Sequence, residues 1–473
     1  MNTTTLPMHT QALPAAGSAA YTLATPDGAR RRLARAWLWL GLLSLVGSGL
    51  FSVLLVLSRT PMVNQWLPVA DFFRVALVVH VDLSVLVWFI AIAGVLWSLN
   101  SSPLGMVSGW SALGLAGAGT VLMSLAPFLG HGEAIMANYI PVLDGPLFLV
   151  GLAVFAAGVA VLVLRSLWLA PKLGVSFDGG GALRFGLNAS VVATAVALLA
   201  FAWSLAVVPQ TLEGKAYYEI VFWGGGHALQ FTWTLLMLVA WLWLAGVSGA
   251  RLRLSPRISL LMFALALASV FVTPYAYLAY DIASVEHRQL LTWAMRFGGG
   301  VAIFPISLAV VLALASAPAP TAEARPLRAA LVSSVLLFAA GGVIGLFISG
   351  SNVRIPAHYH GCIVGVTLAL MGLVYHLLPQ LGYAAPASRL ATLQPRLYGF
   401  GQLMHIVGLV WSGGYGVQRK VAGAEQVLHS TAEVAGMGLM GLGGLIAIIG
   451  GLLFVVVVAK SLRQPVVRHG VAV

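Results

Sequence analysis

Two histidines stand at the start of a hydrophobic segment in the stretch "RIPAHYHGCIVGVTLALMGLVYHLLP", residues 354–379. His358 and His360 are separated by one residue, and on a helix this spacing turns their side chains roughly 200° apart. They therefore point to opposite sides of the helix and cannot easily share one metal ion. Each could instead bind a separate planar cofactor, one on either side of the helix.

Three further histidines are predicted to lie at the same depth: His80 in "VVHVDLSVLVWF", His227 in "FWGGGHALQF" and His287 in "SVEHRQLL". Ionisable residues at membrane depth usually mark functional sites, and imidazole is the commonest metal ligand. We therefore expect heme or metal ligation. His80 could meet one planar cofactor from the second helix and give a six-coordinate, low-spin iron. His227 and His287 could hold another metal opposite the open site of the second cofactor.

The composition indicates that these histidines belong to a membrane protein. The chain has 473 residues, 60% of them hydrophobic and 8% charged, whereas soluble domains carry roughly 25% charged residues. The sequence therefore predicts an integral membrane protein. Its single cysteine, Cys362, excludes an intrachain disulfide or a multi-cysteine metal site. The net charge of +12 comes from basic residues in loops, so no nucleic-acid partner is expected.

Membrane-spanning helices need about 20 apolar residues each, and that length predicts an all-α bundle of twelve. The predicted segments are 34–58, 71–98, 105–129, 143–165, 186–208, 220–246, 258–279, 290–316, 328–350, 357–380, 396–415 and 429–459. Most of the 25 basic residues fall on one side when both termini are cytoplasmic. We therefore expect a multi-pass protein of the cell inner (plasma) membrane. Residues 1–29 and 461–473 form its cytoplasmic tails, the first one disordered, around a membrane domain at 30–460.

Taken together, these features resemble the catalytic subunit I of the heme-copper oxidase superfamily. They are a histidine near the start of the second segment, "GGGH" in the sixth, a histidine after the seventh and "HYHG" opening the tenth. The resemblance covers essentially residues 30–460. The superfamily includes oxygen-reducing terminal oxidases and nitric oxide reductases, so the resemblance implies a twelve-transmembrane-helix bundle that binds two hemes and a nonheme metal.

The resemblance also implies a role for each histidine. His80 and His360 would be the axial ligands of a low-spin heme b, and His358 the proximal ligand of a high-spin heme of the b, o or a type. His227 and His287 would hold the nonheme metal, which is copper in oxidases and iron in most nitric oxide reductases.

This chain departs from the family pattern after the seventh segment. The family usually has two adjacent histidines there, whereas this sequence has Glu286, His287 and Arg288. One ligand of the nonheme metal is therefore missing. Glu286 or a water molecule could fill its place, or the metal could bind weakly. A carboxylate would suit iron better than copper.

A second departure concerns an active-site tyrosine. Many oxidases carry it four residues after the metal-binding histidine of the sixth segment, where this chain has Phe231. Three tyrosines of the seventh segment could replace it: Tyr275, Tyr277 and Tyr280.

Polar residues near the hemes complete the predicted site. Arg354, Arg419 and Lys420 lie at the outer end of the bundle, where the resemblance implies that heme propionates would pair with cations. Asp82 follows His80 by two residues and could either support that ligand or make a structural hydrogen bond. His376 is expected to be a satisfied residue near the cytoplasmic end of its helix rather than a ligand, and His405 is left without a role.

The favoured function is therefore that of a respiratory terminal oxidase, a cytochrome c or quinol oxidase that reduces O2 to water. Reduction of nitric oxide to nitrous oxide is the alternative. A proton-coupled transporter is a third hypothesis, which leaves the "HYH" spacing unexplained. The chain has no CXXCH heme-attachment motif, so we expect electrons from a partner subunit carrying heme c or a dinuclear copper centre, or directly from quinol.

Overall fold

Long helices account for almost all of the chain in the computed structural model, which describes residues 21–26, 28–57, 72–130, 132–171, 177–350, 352–417 and 429–464. Within these ranges the helices are α1 (Ala29–Leu57), α2 (Phe72–Asn100), α3 (Met106–Leu129), α4 (Pro146–Trp168), α5 (Gly179–Val207), α6 (Gly214–Val247), α7 (Pro256–Ala279), α8 (Val285–Ala315), α9 (Ala324–Leu346), α10 (Arg354–Gln380), α11 (Arg389–Gly414) and α12 (Thr431–Leu462). The predicted all-α bundle of twelve membrane helices is confirmed.

The helices form because their backbone polar groups must pair internally in a hydrocarbon environment. Eleven of the described helices are long and apolar enough to cross a membrane. The remaining helix, α11, contains Arg389, Arg396 and His405, which lower its mean hydropathy. It packs closely against α12, where Gly401 and Gly408 leave no room for a Cβ atom.

Three helices form the centre of the bundle. Across their apolar stretches, 89% of the residues of α6, 83% of those of α10 and 72% of those of α2 are buried, against 28–44% in the other eight crossing helices. These central helices carry His80, His227, His358 and His360. Most of the histidines expected to bind cofactors are therefore on the helices that lipid reaches least.

Helices α9 and α10 touch through glycines. A Cβ atom on Gly341 would lie 2.6 Å from the Cys362 nitrogen, and one on Gly361 would lie 2.6 Å from the Gly341 Cα. Small residues permit this approach of two backbones in a membrane bundle. As a result, carbonyl groups of α9 come within reach of side chains on α10.

Some helices begin earlier than hydropathy predicts. Helix α8 was expected from residue 290 but begins at Val285, where the Ser284 hydroxyl accepts a hydrogen bond from the His287 backbone N–H at 3.1 Å. His287 therefore lies in the first turn of α8 rather than in a loop. Helix α10 begins at Arg354 instead of residue 357. In both cases the first turn contains polar residues, so hydropathy alone does not predict it as helix.

Two features were not predicted. Helix α2 is α-helical over Phe72–Val81, π-helical over Asp82–Val87 and α-helical again over Trp88–Asn100. Between α3 and α4, strand β1 (Glu133–Ile135) pairs antiparallel with β2 (Val142–Asp144). The connecting residues 136–141 lie over the N-terminal half of α6, as the contacts described below show.

The predicted tails lie mostly outside the described ranges. Within the first of them, Tyr21 is buried, and its hydroxyl donates to the Leu254 carbonyl at 3.0 Å. The packed part of the chain therefore includes Tyr21.

Candidate heme and metal site

The two histidines at the start of α10 lie on opposite sides of that helix, as their spacing predicts. Nδ1 of His358 donates to the Gly341 carbonyl of α9 at 2.7 Å. The His360 ring instead lies beside His405 of α11, with ring centroids 5.0 Å apart, and its Nδ1 donates to the Pro356 carbonyl at 2.8 Å. Helix α10 therefore separates two imidazoles that face different neighbours.

His80 is held against α1 by two serines. Its Nδ1 lies 2.9 Å from the Ser48 carbonyl and 2.9 Å from each of the Ser48 and Ser52 hydroxyls of α1. The pairing of His80 with His360 through one low-spin heme stays a prediction.

These hydrogen bonds fix the tautomer of each ring. A backbone carbonyl can only accept, so Nδ1 carries the proton in His80, His358 and His360, and Nε2 keeps its lone pair. In the described part of the chain, Nε2 has no hydrogen-bond partner in any of the three. A ring held through Nδ1 with a free Nε2 is the usual arrangement of a metal-ligating histidine, and the three residues therefore fit heme ligation.

Two glycines of α9 shape the position of His358. A Cβ atom on Gly345 would lie 2.6 Å from His358 Nδ1, so only glycine leaves room for the ring there. Gly341 provides the carbonyl acceptor. The sequence contains these two glycines four residues apart, which is the signal that places them on one face of α9.

His227 and His287 form the other part of the site. Both are almost fully buried, with 2% and 1% of their surface exposed. Nδ1 of His227 donates to the Trp223 carbonyl at 2.7 Å. The Trp223 indole N–H donates to the Arg288 carbonyl at 3.3 Å, which ties α6 to the first turn of α8.

The nonheme metal site is incomplete when only the usual ligands are counted. In the ranges that the structure describes, no group of three His, Cys, Asp or Glu side chains could hold a metal ion. Glu286, the predicted substitute, is exposed while its neighbour His287 is buried. The ring nitrogens of His287 are buried and, among the described residues, lack hydrogen-bond partners.

A tyrosine that the sequence analysis did not single out contacts this pair. The Tyr139 hydroxyl lies 3.0 Å from His227 Nε2. Burial, followed by the nearby Glu219 carboxylate, raises the pKa of Tyr139 above its ordinary value, so the phenol is protonated and donates to Nε2. The available signal was "GGGH", since the three glycines leave room for rings.

Each of those glycines faces one aromatic ring. A Cβ atom on Gly224 would collide with Tyr277, one on Gly225 with Phe201 and one on Gly226 with Tyr139. The glycines therefore let aromatic side chains from other segments close around the turn that ends at His227.

The three tyrosines proposed from the seventh segment have different environments. Tyr277 is buried, its ring lies 4.8 Å from that of His287, and its hydroxyl bonds Ser204 at 2.6 Å. Tyr275 and Tyr280 are 57% and 39% exposed. Only Tyr277 of this group therefore lies beside the histidine pair.

The predicted propionate-binding cations are only partly described. Arg354 lies at the start of α10, and its Nε is buried without a hydrogen-bond partner among the described residues. This nitrogen suits an anionic group such as a propionate. Arg419 and Lys420 lie outside the described residues.

Comparison with known proteins identifies the framework around this site. The family model described as cytochrome c and quinol oxidase polypeptide I matches residues 32–453. A solved structure described as a heme-copper terminal oxidase dimer superposes with a TM-score of 0.72, covering 94% of this chain and 86% of that one at 16% identity. At that identity the likeness shows the fold alone.

Two curated relatives extend the comparison without adding an activity. An uncharacterized protein of Rickettsia prowazekii (strain Madrid E) is 28% identical over 91% of this chain and 96% of its own length. An uncharacterized protein of Aquifex aeolicus (strain VF5) is 29% identical over 73% of this chain and 85% of its own. With its helices, its histidine pairs and a family match over most of its length, the chain belongs to the cytochrome c and quinol oxidase polypeptide I family.

Proposed function

We propose that this chain is the catalytic subunit of a respiratory terminal oxidase that reduces O2 to water. Family membership makes it a membrane-embedded oxidoreductase, in a family that binds hemes together with copper or another nonheme metal. The finer proposal rests on a hydrogen-bonding arrangement that His80, His358 and His360 have in common. Each is held through Nδ1 and leaves Nε2 as a ligand atom.

Hemes bound at these residues would supply one-electron transfer and a binding place for a diatomic gas. The protein's part is to hold the ligands. His80 on α2 and His360 on α10 would hold a low-spin heme between them. His358 faces α9 alone and suits a heme with one protein ligand. Since one helix carries both His358 and His360, it fixes the separation of the two sites.

The protein also keeps water away from the site. The α2 half beneath His80 is buried from Trp88 to Asn100, and Phe89 packs edge-on against Trp233 of α6 with ring centroids 5.1 Å apart. A dry interior strengthens electrostatic interactions and limits side reactions of bound gas.

The experiment is an optical spectrum of the protein purified with its native partners. His360→Ala should abolish the six-coordinate low-spin heme signal and oxygen consumption while the protein remains assembled. His376→Ala is the matched control, because His376 lies on the same helix and bonds Gln380 instead. Retention of the low-spin signal in His360→Ala would refute the ligand assignment.

A second candidate is reduction of nitric oxide to nitrous oxide. It is favoured by the absence of a third histidine beside His227 and His287 in the described residues, because an oxygen ligand in that place would suit iron better than copper. Turnover of O2 and of nitric oxide by the same preparation separates the two candidates.

The electron donor and the membrane belong to the same proposal. We propose a donor subunit carrying heme c or a dinuclear copper centre, with quinol as the alternative donor. The protein would lie in the cell inner membrane with both termini in the cytoplasm, as the distribution of basic residues favours.

A further inference from the structure

The loop between β1 and β2 is fixed onto α6 by bonds on both sides of Tyr139. The Asn138 side-chain amide donates to Glu219 at 2.5 Å, and the Tyr218 hydroxyl donates to Asp144 at 2.7 Å. Glu219 and Tyr218 both belong to the first turns of α6. The loop is therefore held at two points next to the helix that carries His227.

Tyr139 itself has an unusual backbone. Its φ of 70° is the only positive value for a non-glycine residue in the described part of the chain. Bulky residues rarely adopt this conformation, and where they do the strain is often retained at functional sites. The conformation turns the ring inward, where it lies 4.9 Å from the His227 ring in the space left by Gly226.

His287 supplies the second independent observation. It is 1% exposed, and neither ring nitrogen has a hydrogen-bond partner among the described residues. Burying an imidazole without any partner is costly. The carbonyl of the next residue, Arg288, accepts a hydrogen bond from the Trp223 indole at 3.3 Å, and the Trp223 ring lies 4.8 Å from that of His227, so His287 lies beside the same pair. A buried imidazole without a partner, next to a tyrosine–histidine pair, indicates that all three side chains bind one metal ion.

We propose that Tyr139 is the third protein ligand of the nonheme metal, together with His227 and His287, and that this metal is iron. This inference rests on the proposed function, because both of its candidates supply the expectation of a nonheme metal; iron in that place would favour the second candidate, reduction of nitric oxide. It replaces the missing second histidine of the α8 segment with a phenolate oxygen from a loop, and it excludes Glu286, which is exposed.

The donor atoms suit this role. Because His227 Nδ1 donates to Trp223, Nε2 carries the lone pair that accepts from Tyr139 and that could instead bind a metal. The Tyr139 oxygen and His227 Nε2 are 3.0 Å apart, which is compatible with two ligands that each bind one metal at about 2.0–2.2 Å. Two imidazoles and one hard oxygen favour iron over the softer-liganded copper(I).

Binding requires one proton to leave. When a ferric ion binds, the Tyr139 O–H bond breaks, an iron–oxygen bond forms and the proton passes to solvent. No electron is exchanged in this step. Loss of the proton also removes the hydrogen bond to His227, and Nε2 turns from accepting a proton to ligating the metal.

The test is metal analysis of the complex purified from membranes, with total iron compared with heme iron. The wild-type protein should contain about one iron atom per chain beyond its heme iron, and resonance Raman spectra should show enhanced phenolate bands. Tyr139→Phe should lower this excess iron by at least about ten-fold and remove those bands, while both hemes are retained.

Tyr218→Phe is the matched control. It removes a phenol that holds the same loop through Asp144 but does not contact His227, and it should retain the excess iron. Full excess iron in Tyr139→Phe would overturn the inference, as would wild-type protein that holds both hemes but has copper or no nonheme metal. Absence of the low-spin heme would instead overturn the proposed function, because heme and excess iron are measured separately.

Discussion

The Gly341 carbonyl accepts a hydrogen bond from His358 Nδ1 at 2.7 Å, and this contact joins α9 to the proposed ligand of the high-spin heme. It exists because Gly341 and Gly361 let the two helices touch. The ligand's orientation therefore depends on a neighbouring helix rather than on α10 alone, and it can be tested there.

Gly345→Ala should displace His358. The added methyl group would lie 2.6 Å from Nδ1, so the ring must move away from the Gly341 carbonyl. Loss of such a supporting bond typically weakens ligand binding roughly 10- to 100-fold. We expect loss of the high-spin heme and of gas binding, measured by carbon monoxide difference spectra, with the low-spin heme retained.

Gly342→Ala is the control for that variant, since a Cβ atom there meets nothing within 4 Å. It should leave both heme signals unchanged. If Gly345→Ala also left them unchanged, the close packing of α9 against His358 would have no part in heme binding.

The serines of α1 should tune the low-spin heme. Ser48 and Ser52 place their hydroxyls 2.9 Å from His80 Nδ1. Acceptors at Nδ1 make an imidazole a stronger electron donor, which stabilises oxidised iron. The double variant Ser48→Ala, Ser52→Ala should therefore raise the low-spin heme's reduction potential, measured by redox titration. A lower potential would contradict this reasoning. Ser44→Ala is the control, because Ser44 bonds the Gly41 carbonyl of its own helix.

His405 should not be an axial ligand. Its ring centroid is 5.0 Å from that of His360, and two imidazoles that share an iron at about 2.0 Å each need a larger separation. His405→Ala should retain the six-coordinate signal, and its absorption spectrum would show this directly. Loss of the signal would make His405, rather than His80, the partner of His360.

Asp82 should make the protein less stable than a variant with an apolar residue at that position. It is 1% exposed, and neither carboxyl oxygen has a hydrogen-bond partner among the described residues, so neither the predicted support of His80 nor a structural hydrogen bond is seen. An unsatisfied buried polar group costs about 1–3 kcal/mol. Asp82→Leu should therefore raise the melting temperature, whereas Asp82→Asn, which keeps unsatisfied polar atoms, should not. Destabilisation by Asp82→Leu would show that the carboxyl has a partner.

Hydropathy and histidine spacing predict much of this arrangement, because both depend on positions along single helices. The twelve helices follow from apolar length, and the opposite directions of His358 and His360 follow from helical geometry. Helix starts are less predictable, as His287 shows: its polar neighbours hide a turn that Ser284 caps.

Contacts between distant segments could not be predicted in this way. Tyr139 reaches His227 from a loop 88 residues earlier, and its position depends on hairpin register, on backbone φ and on the space beside Gly226. The Gly341 acceptor likewise depends on how two helices pack. Hydropathy carries no information about either, although "GGGH" indicates that rings approach there.

The π-helical stretch of α2 has a consequence for how the proposed low-spin site tolerates substitutions. Asp82–Val87 lies between His80 and the α-helical half in which all residues from Trp88 to Asn100 are buried. Because a π-turn holds more residues than an α-turn, the two halves do not share one rotational setting. The buried half, Trp88–Asn100, can keep its packing while the first half sets the direction of the His80 side chain. The orientation of this proposed ligand is therefore independent of the rest of its helix.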